Sequence, residues 1–266
     1  MLHGIGLRTV SALVFASVVV AFAYMGGLGF ELMVAMAAVL MGYEWSRLCN
    51  DGAMAIGAAV AAGGAAPVAV AALAGADVAL IAAAAAAAVI YAVAWATGAR
   101  RLWSAAGVVY ISIPCIVLVW LRAAPALGLE TVFWLFAVVW ATDTGAYFAG
   151  RGIGGPKLAP RISPQKTWAG LAGGVICAAA VGILTAALLD IPNPAPIVLF
   201  SAVLAFVAQA GDLGESMVKR HFGVKDSGRL IPGHGGVLDR LDGLMTAAPA
   251  VAASVILTGE GVLAWR

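Results

Sequence analysis

Charge is scarce in this chain. Only 11% of its 266 residues are Asp, Glu, Lys or Arg, against 63% hydrophobic residues and a mean hydropathy of +1.02. Soluble domains carry roughly 25% charged residues, so this chain has too few to cover a water-facing surface. The scarcity excludes an ordinary soluble domain and implies an all-α, polytopic integral membrane protein embedded in a lipid bilayer. The net charge of +2 is too small to imply a nucleic-acid partner. Cysteine is equally sparse. Cys49, Cys115 and Cys177 are odd in number, far apart and set in or beside apolar runs, with no CxxC pair. That excludes a disulfide framework and a cysteine zinc site, and reads as three small apolar side chains. No cleavage site separates the apolar run after Arg8 from a soluble domain, so that run is expected to be an uncleaved first span.

Hydrophobic length, by contrast, is abundant. A spanning helix needs about 20 mostly apolar residues to cross about 30 Å of hydrocarbon. Nine stretches qualify: 9–27, 29–47, 53–75, 78–98, 104–122, 130–149, 168–189, 195–214 and 244–263. Pro67, Pro114 and Pro249 fall inside three of them, where a proline kinks a spanning helix without abolishing it. Laid out as strict alternation with the N-terminus inside, thirteen of the fifteen Lys/Arg residues lie on the inner side, leaving only Arg122 and Arg266 outside. This asymmetry follows the positive-inside rule. It predicts a cytoplasmic N-terminus and two long inner loops, 150–167 and 215–243. Residues 1–128 form an N-terminal region of about five spans, and residues 129–266 a C-terminal region carrying both long loops. Gly170 and Gly174 form a small-xxx-small pair suited to close helix approach, or simply reflect the general Ala/Gly richness.

The little charge there is gathers in Gly211–Asp242. This stretch holds five of the fifteen Lys/Arg, five of the thirteen Asp/Glu and two of the three His. Asp212, Glu215 and Ser216 follow i, i+3, i+4 spacing, which places them on one face of a continuing helix. Asp239 and Asp242 repeat the three-residue spacing. Two carboxylate pairs converging on one point repel strongly unless a cation lies between them, and Mg²⁺ takes one or two carboxylates together with substrate phosphates. The alternative for Asp239 and Asp242 is a solvated helix start with acids favoured by the dipole. Asp143 and Asp212 are acids within or at the ends of spans. A carboxylate at the bilayer centre costs about 2.5–3.5 kcal/mol even on the lenient scale, so each either faces a bundle or wet cavity, or reaches water at a helix end.

Ile231-Pro-Gly-His-Gly-Gly236 joins the two acidic pairs. Glycines here permit positive φ and let backbone N–H groups approach an anion, as in a phosphate cradle leading into a helix. His234 within it is a phosphate ligand, an acid or a turn residue. Lys219, Arg220, Lys225 and Arg229 precede the loop, and Arg151, Lys157, Arg161 and Lys166 fill the other inner loop. Individually these bases are ordinary positive-inside charge. Together with the acids and the glycines they describe a phosphate-rich substrate handled with a metal at the membrane surface. The rival class is a polytopic ion-coupled transporter, which the acids in the spans suit. Its site should lie near the bilayer midplane, and the charged cluster lies at the boundary instead.

The pattern Ser216-x-Val218-Lys219-Arg220-x4-Lys225-Asp226-x5-Pro232-Gly233-His234-Gly235-Gly236-x2-Asp239-Arg240-x-Asp242 resembles the signature of the phosphatidate cytidylyltransferases, or CDP-diacylglycerol synthases. Gln209 to Glu215 resembles the family too, as does Asp143-x2-Ala-Tyr147-x2-Gly150-Arg151 followed by Ser163-Pro164-x-Lys166-Thr167. The resemblance implies a multi-pass enzyme of the bacterial inner membrane, its active site facing the cytoplasm, that joins CTP and phosphatidic acid into CDP-diacylglycerol and pyrophosphate. It implies Mg²⁺, with K⁺ beside it, and a homodimer. By the same resemblance Asp212, Asp239 and Asp242 are the metal-site acids, while Lys219, Arg220, Lys225 and His234 handle phosphate. Asp143, Arg151, Ser163, Lys166, Gly235, Gly236 and Arg240 are expected to bind substrate. The family block that often reads SPKKTxEG reads SPQKTWAG here, so Gln165 and Ala169 receive no essential role.

The expected chemistry also follows from the residues. A phosphate monoester is already an anionic nucleophile at neutral pH and needs no Ser-His-Asp triad. It needs charge neutralisation and an in-line meeting of a lipid headgroup with a soluble nucleotide.

Overall fold

The computed structural model describes residues 2–231 and 235–265, with the side chains of 2–12 outside that description. Among the described residues the chain forms nine α-helices: α1 Leu2–Met25, α2 Gly27–Cys49, α3 Met54–Ala74, α4 Ala76–Ala96, α5 Arg101–Ala123, α6 Gly128–Gly152, α7 Trp168–Leu188, α8 Ala195–His221 and α9 Leu238–Thr258. Eight of them, α2 to α9, are long and apolar enough to cross a membrane, and α1 carries the shorter apolar stretch Leu13–Met25. Helix is what such sequences must form in hydrocarbon, because only an internally bonded backbone leaves no polar group unsatisfied there. Two short strands, β1 Lys157–Ala159 and β2 Ser163–Thr167, pair antiparallel.

The described chain divides into two compact units, Met1–Ala123 with His221–Leu241, and Ala124–Arg220 with Asp242–Arg266. In the first, α2, α3, α4 and α5 pack on one another. A Cβ on Gly42 would lie 2.7 Å from the Ala61 Cα, so glycine is what lets α2 and α3 approach. Gly75, at φ 90°, makes the one-residue turn from α3 to α4; few side chains tolerate that left-handed conformation. The end of α2 is tied to the start of α5 by polar bonds. Asn50 donates to Ser104 Oγ at 3.1 Å and accepts from the Arg100 backbone N–H at 3.0 Å, and the Arg100 guanidinium donates to the Cys49 carbonyl at 2.6 Å. Arg122, at the other end of α5, donates to the Ala23 and Tyr24 carbonyls at the end of α1.

In the second unit α6 and α7 form the most intimate pair. Cβ atoms added to Gly170 and Gly174 would each lie 2.9 Å from an α6 carbonyl, those of Ala146 and Thr142. The small-xxx-small pair therefore serves a close approach within the chain. Trp134 of α6 donates its indole N–H to Ser201 of α8 at 3.0 Å, satisfying two buried polar groups together. All three cysteines are free thiols; Cys49 and Cys115 are buried and Cys177 is half-buried.

Two boundaries differ from those the hydropathy alone suggests. The eighth helix continues past residue 214 to His221, since Asp212, Glu215 and Ser216 are compatible with helix and its polar face is partly buried. The ninth begins at Leu238, six residues before its apolar run, and ends at Thr258. Acids in a first turn match the unsatisfied N–H groups there, so Asp239 and Asp242 extend the helix.

Candidate active site

The second unit assembles a charged cluster from three elements. The β1–β2 hairpin places Lys166 near the end of β2, and Thr167 then caps α7, its hydroxyl accepting from the Gly170 N–H at 3.0 Å. Arg220 of α8 donates to the Ile162 carbonyl at 3.2 Å, which fastens the hairpin to α8. Lys166 reaches α8 in turn: its Nζ lies 2.5 Å from an Asp212 oxygen and 3.5 Å from the Gln209 carbonyl. Both partners of the ion pair are largely shielded, with side-chain exposures of 16% and 28%.

One turn further along α8 the same face carries Glu215 and Ser216. Ser216 Oγ lies 3.4 Å from Asp212 Oδ1, and Lys219 Nζ lies 3.3 Å from Glu215, with both groups buried. Asp242 of α9 completes the cluster. Its carboxyl lies beside that of Glu215 and stands within electrostatic reach of Asp212 and Lys219. Close packing brings α9 this near. A Cβ on Gly211 would meet Thr246 and lie 2.9 Å from the Asp242 carbonyl.

The cluster thus gathers three carboxylates, Asp212, Glu215 and Asp242, around two lysines, Lys166 and Lys219. Among the described residues no three His, Cys, Asp or Glu side chains surround a common point as a finished ligand set. The acids nevertheless offer only hard oxygen donors, and the Lys166 and Lys219 ammonium groups already offset part of their mutual repulsion. That combination fits a hard divalent ion that completes its shell with phosphate oxygens and water.

The first unit holds the other acid. Both oxygens of Asp239 accept the Ser227 N–H, at 3.1 and 3.0 Å, and Oδ2 also accepts the Gly236 N–H at 2.8 Å. The residues after α8 therefore fold back onto the start of α9 through backbone donors. Gly235 adopts φ 89° and pairs with Ile231, whose N–H donates to the Gly235 carbonyl at 2.9 Å. His234, with Pro232 and Gly233, lies outside the described residues.

The other expected site residues are found as follows. Asp143 is exposed on α6. Arg151, two turns on, donates to the Tyr147 hydroxyl at 3.0 Å. Ser163 is half-buried in β2, and Lys225 and Arg240 are exposed. Two acids of these clusters had no assigned role in the sequence, Glu215 being noted only for its spacing and Glu44 not at all. Glu215 is buried at the centre of the α8 face, and Glu44 of α2 is buried against Ser227, Val237 and Leu238. Glu44 does carry a signal, as a lone acid at the end of an apolar run.

Fold and site together define a polytopic α-helical membrane protein that gathers carboxylates and lysines at the ends of its last two long helices. The chain belongs to the cytidylyltransferase family, whose description matches residues 6–258. It is 41% identical over 245 residues to the phosphatidate cytidylyltransferase of Brucella suis, covering 91% of this chain and 89% of the relative. It is 50% identical over 123 residues to the phosphatidate cytidylyltransferase of Staphylococcus haemolyticus, covering 46% and 47% of the two chains. The Haemophilus influenzae phosphatidate cytidylyltransferase is 45% identical over 130 residues, 47% of this chain and 45% of the relative. None of these three is named as a transporter.

Proposed function

We propose that this protein transfers CMP from CTP to phosphatidic acid, giving CDP-diacylglycerol and pyrophosphate. The observation that carries the reading is the lysine–carboxylate cluster of Lys166, Asp212, Glu215, Lys219 and Asp242, set in a chain similar over nine-tenths of its length to a phosphatidate cytidylyltransferase. A phosphate oxygen of the lipid attacks the α-phosphorus of CTP, the bond from that phosphorus to the bridging oxygen breaks, and pyrophosphate leaves. The monoester is already anionic, so no general base is required. The barrier is repulsion between two phosphates, and preorganised cations lower it.

In this reading Lys166 and Lys219 exchange their carboxylate partners for phosphoryl oxygens when substrate arrives. Asp212 and Asp242 would hold Mg²⁺, with Asp239 one turn earlier on α9 as a further oxygen donor and K⁺ as the accompanying ion. The divalent ion, when bound, neutralises charge on the triphosphate and the departing pyrophosphate. Arg151, Ser163, Arg220, Lys225, His234 and Arg240 supply further contacts to the phosphates. Asp143 faces the same substrates from α6. An apolar groove of about 550 Å³ between α6 and α7, lined by residues including Phe148, Ile153, Gly173 and Ile176, suits an acyl chain entering from the bilayer. The enzyme would sit in the inner membrane as a homodimer with this site toward the cytoplasm.

The test follows the label. Purified protein in detergent, given phosphatidic acid and CTP labelled at the α-phosphate, should pass the label to the lipid. CTP labelled at the γ-phosphate should pass none. Lipid labelled from the γ-position would show a phosphoryl transfer instead, and no labelled lipid from folded protein would end the reading.

A further inference from the structure

Glu44 is among the most completely buried polar residues of the first unit, 1% exposed on the apolar helix α2. A carboxylate there must find donors. Its Oε1 accepts the Val237 N–H at 3.1 Å, its Oε2 accepts the Leu238 N–H at 2.9 Å, and the Ser227 hydroxyl lies 3.5 Å from Oε2. Val237 directly precedes α9 and Leu238 opens it. Their N–H groups are ones that a helix leaves unpaired and that an N-cap side chain ordinarily satisfies. Neither of the two residues before the helix, Gly236 and Val237, has a side chain that can accept a hydrogen bond. Asp239 reaches back to the Gly236 N–H in the manner of the acid of a capping box. The missing half of that box is supplied by Glu44, from a helix almost two hundred residues earlier.

The neighbouring glycines fit this role. A Cβ on Gly236 would meet Ser227 Oγ and lie 2.6 and 2.7 Å from the two Glu44 oxygens, and a Cβ on Gly228 would meet the same carboxylate. Neither glycine adopts positive φ, so backbone conformation does not require them. What requires them is the space the Glu44 carboxylate fills, shared at Gly236 with the Ser227 hydroxyl.

We propose that Glu44 is a positioning residue for the transfer reaction: its buried carboxylate fixes the first turn of α9, and with it the place of Asp239 and, one turn on, Asp242. The proposal rests on the transferase reading above. Groups that orient an ion's ligands typically carry roughly 10–100-fold in affinity or activity.

The experiment compares wild type, Glu44→Gln, Glu44→Ala, Gly236→Ala and the Glu44→Ala/Gly236→Ala double variant as purified full-length proteins. Glu44→Gln keeps the volume, but its NH₂ group cannot accept a backbone N–H. It should lower kcat about tenfold or more and raise the Mg²⁺ concentration for half-maximal rate. Gly236→Ala should lower kcat in the wild-type background and cost less once Glu44 is Ala, because only the Ser227 hydroxyl then still meets the added Cβ. Hydrogen exchange gives a readout that needs no activity: the segment 236–242 should exchange faster in Glu44→Gln, with the other helices unchanged. Equal losses from Gly236→Ala in both backgrounds would mean that the glycine serves something other than Glu44. A fall in rate with an unchanged Mg²⁺ requirement would reduce Glu44 to a stabilising role. Unchanged exchange at 236–242 would overturn the proposal outright. A wild type inactive on CTP and phosphatidic acid would instead overturn the transferase reading, and the exchange arm would still decide whether Glu44 fixes α9.

Discussion

Lys166 on the β1–β2 hairpin and Asp212 on α8 stand 2.5 Å apart, Nζ to carboxylate oxygen. This ion pair joins the two polar segments of the second unit, and the proposed reaction needs both of its members. Replacing Lys166 by Met should lower kcat/KM by about 10²-fold or more, the scale of removing one preorganised group that meets developing charge. Lys166→Arg should retain part of the rate, since it keeps the charge but not the shape. Steady-state kinetics with CTP and phosphatidic acid check this, and a Met variant at near wild-type rate would remove Lys166 from the site.

The metal assignment predicts a dependence that can be reversed. Chelation with EDTA should abolish turnover, and added Mg²⁺ should restore it. Asp242→Asn should lose activity in a way that raised Mg²⁺ only partly repairs. Full activity after exhaustive chelation would leave the Asp212–Asp242 pair without an ion to hold.

Packing makes a prediction independent of function. A Cβ on Gly173 would meet the Ala149 Cβ and lie 2.9 Å from the Gly145 carbonyl, whereas one on Gly214 would meet nothing within 4 Å. Gly173→Ala should therefore destabilise by about 1–3 kcal/mol, the usual cost of overpacking. Gly214→Ala, in the interior of α8, should be neutral or stabilising by up to about 1 kcal/mol. Thermal unfolding in one detergent compares the two, and the opposite ordering would contradict the α6–α7 packing.

The charge asymmetry makes another. Thirteen of fifteen basic residues fall on one side of a nine-span alternation, so a C-terminal reporter active only in the periplasm should be active and one active only in the cytoplasm silent. The reverse pattern would change the number of crossings by one.

Much of this was legible in the residues, for identifiable reasons. Apolar length in a charge-poor chain leaves helix as the only option, and the expected stretches fall on the nine helices. The i, i+3, i+4 spacing of Asp212, Glu215 and Ser216 placed them on one face because α8 does continue through them. The charge of the cluster was legible as acids interleaved with bases. Long-range partners were not. Spacing gives no hint that Lys166, 46 positions before Asp212, would pair with it across a hairpin. Nor does it show that Glu44 would accept the first N–H groups of α9. Gly236 read as room for an anion, and it is room for a carboxylate from the chain itself. The start of α9 lies before its apolar run because hydropathy ignores that an acid such as Asp239 in a first turn extends a helix.

The most direct test of the account measures both products at once, in the wild type and in Asp242→Asn. Purified protein with CTP, phosphatidic acid and Mg²⁺ should release pyrophosphate and form CDP-diacylglycerol in equal amounts, and the folded Asp242→Asn protein should form neither at a comparable rate. Pyrophosphate without the lipid product, no product from folded wild type, or an Asp242→Asn variant that keeps pace with it would each contradict the claim that this cluster carries out the transfer.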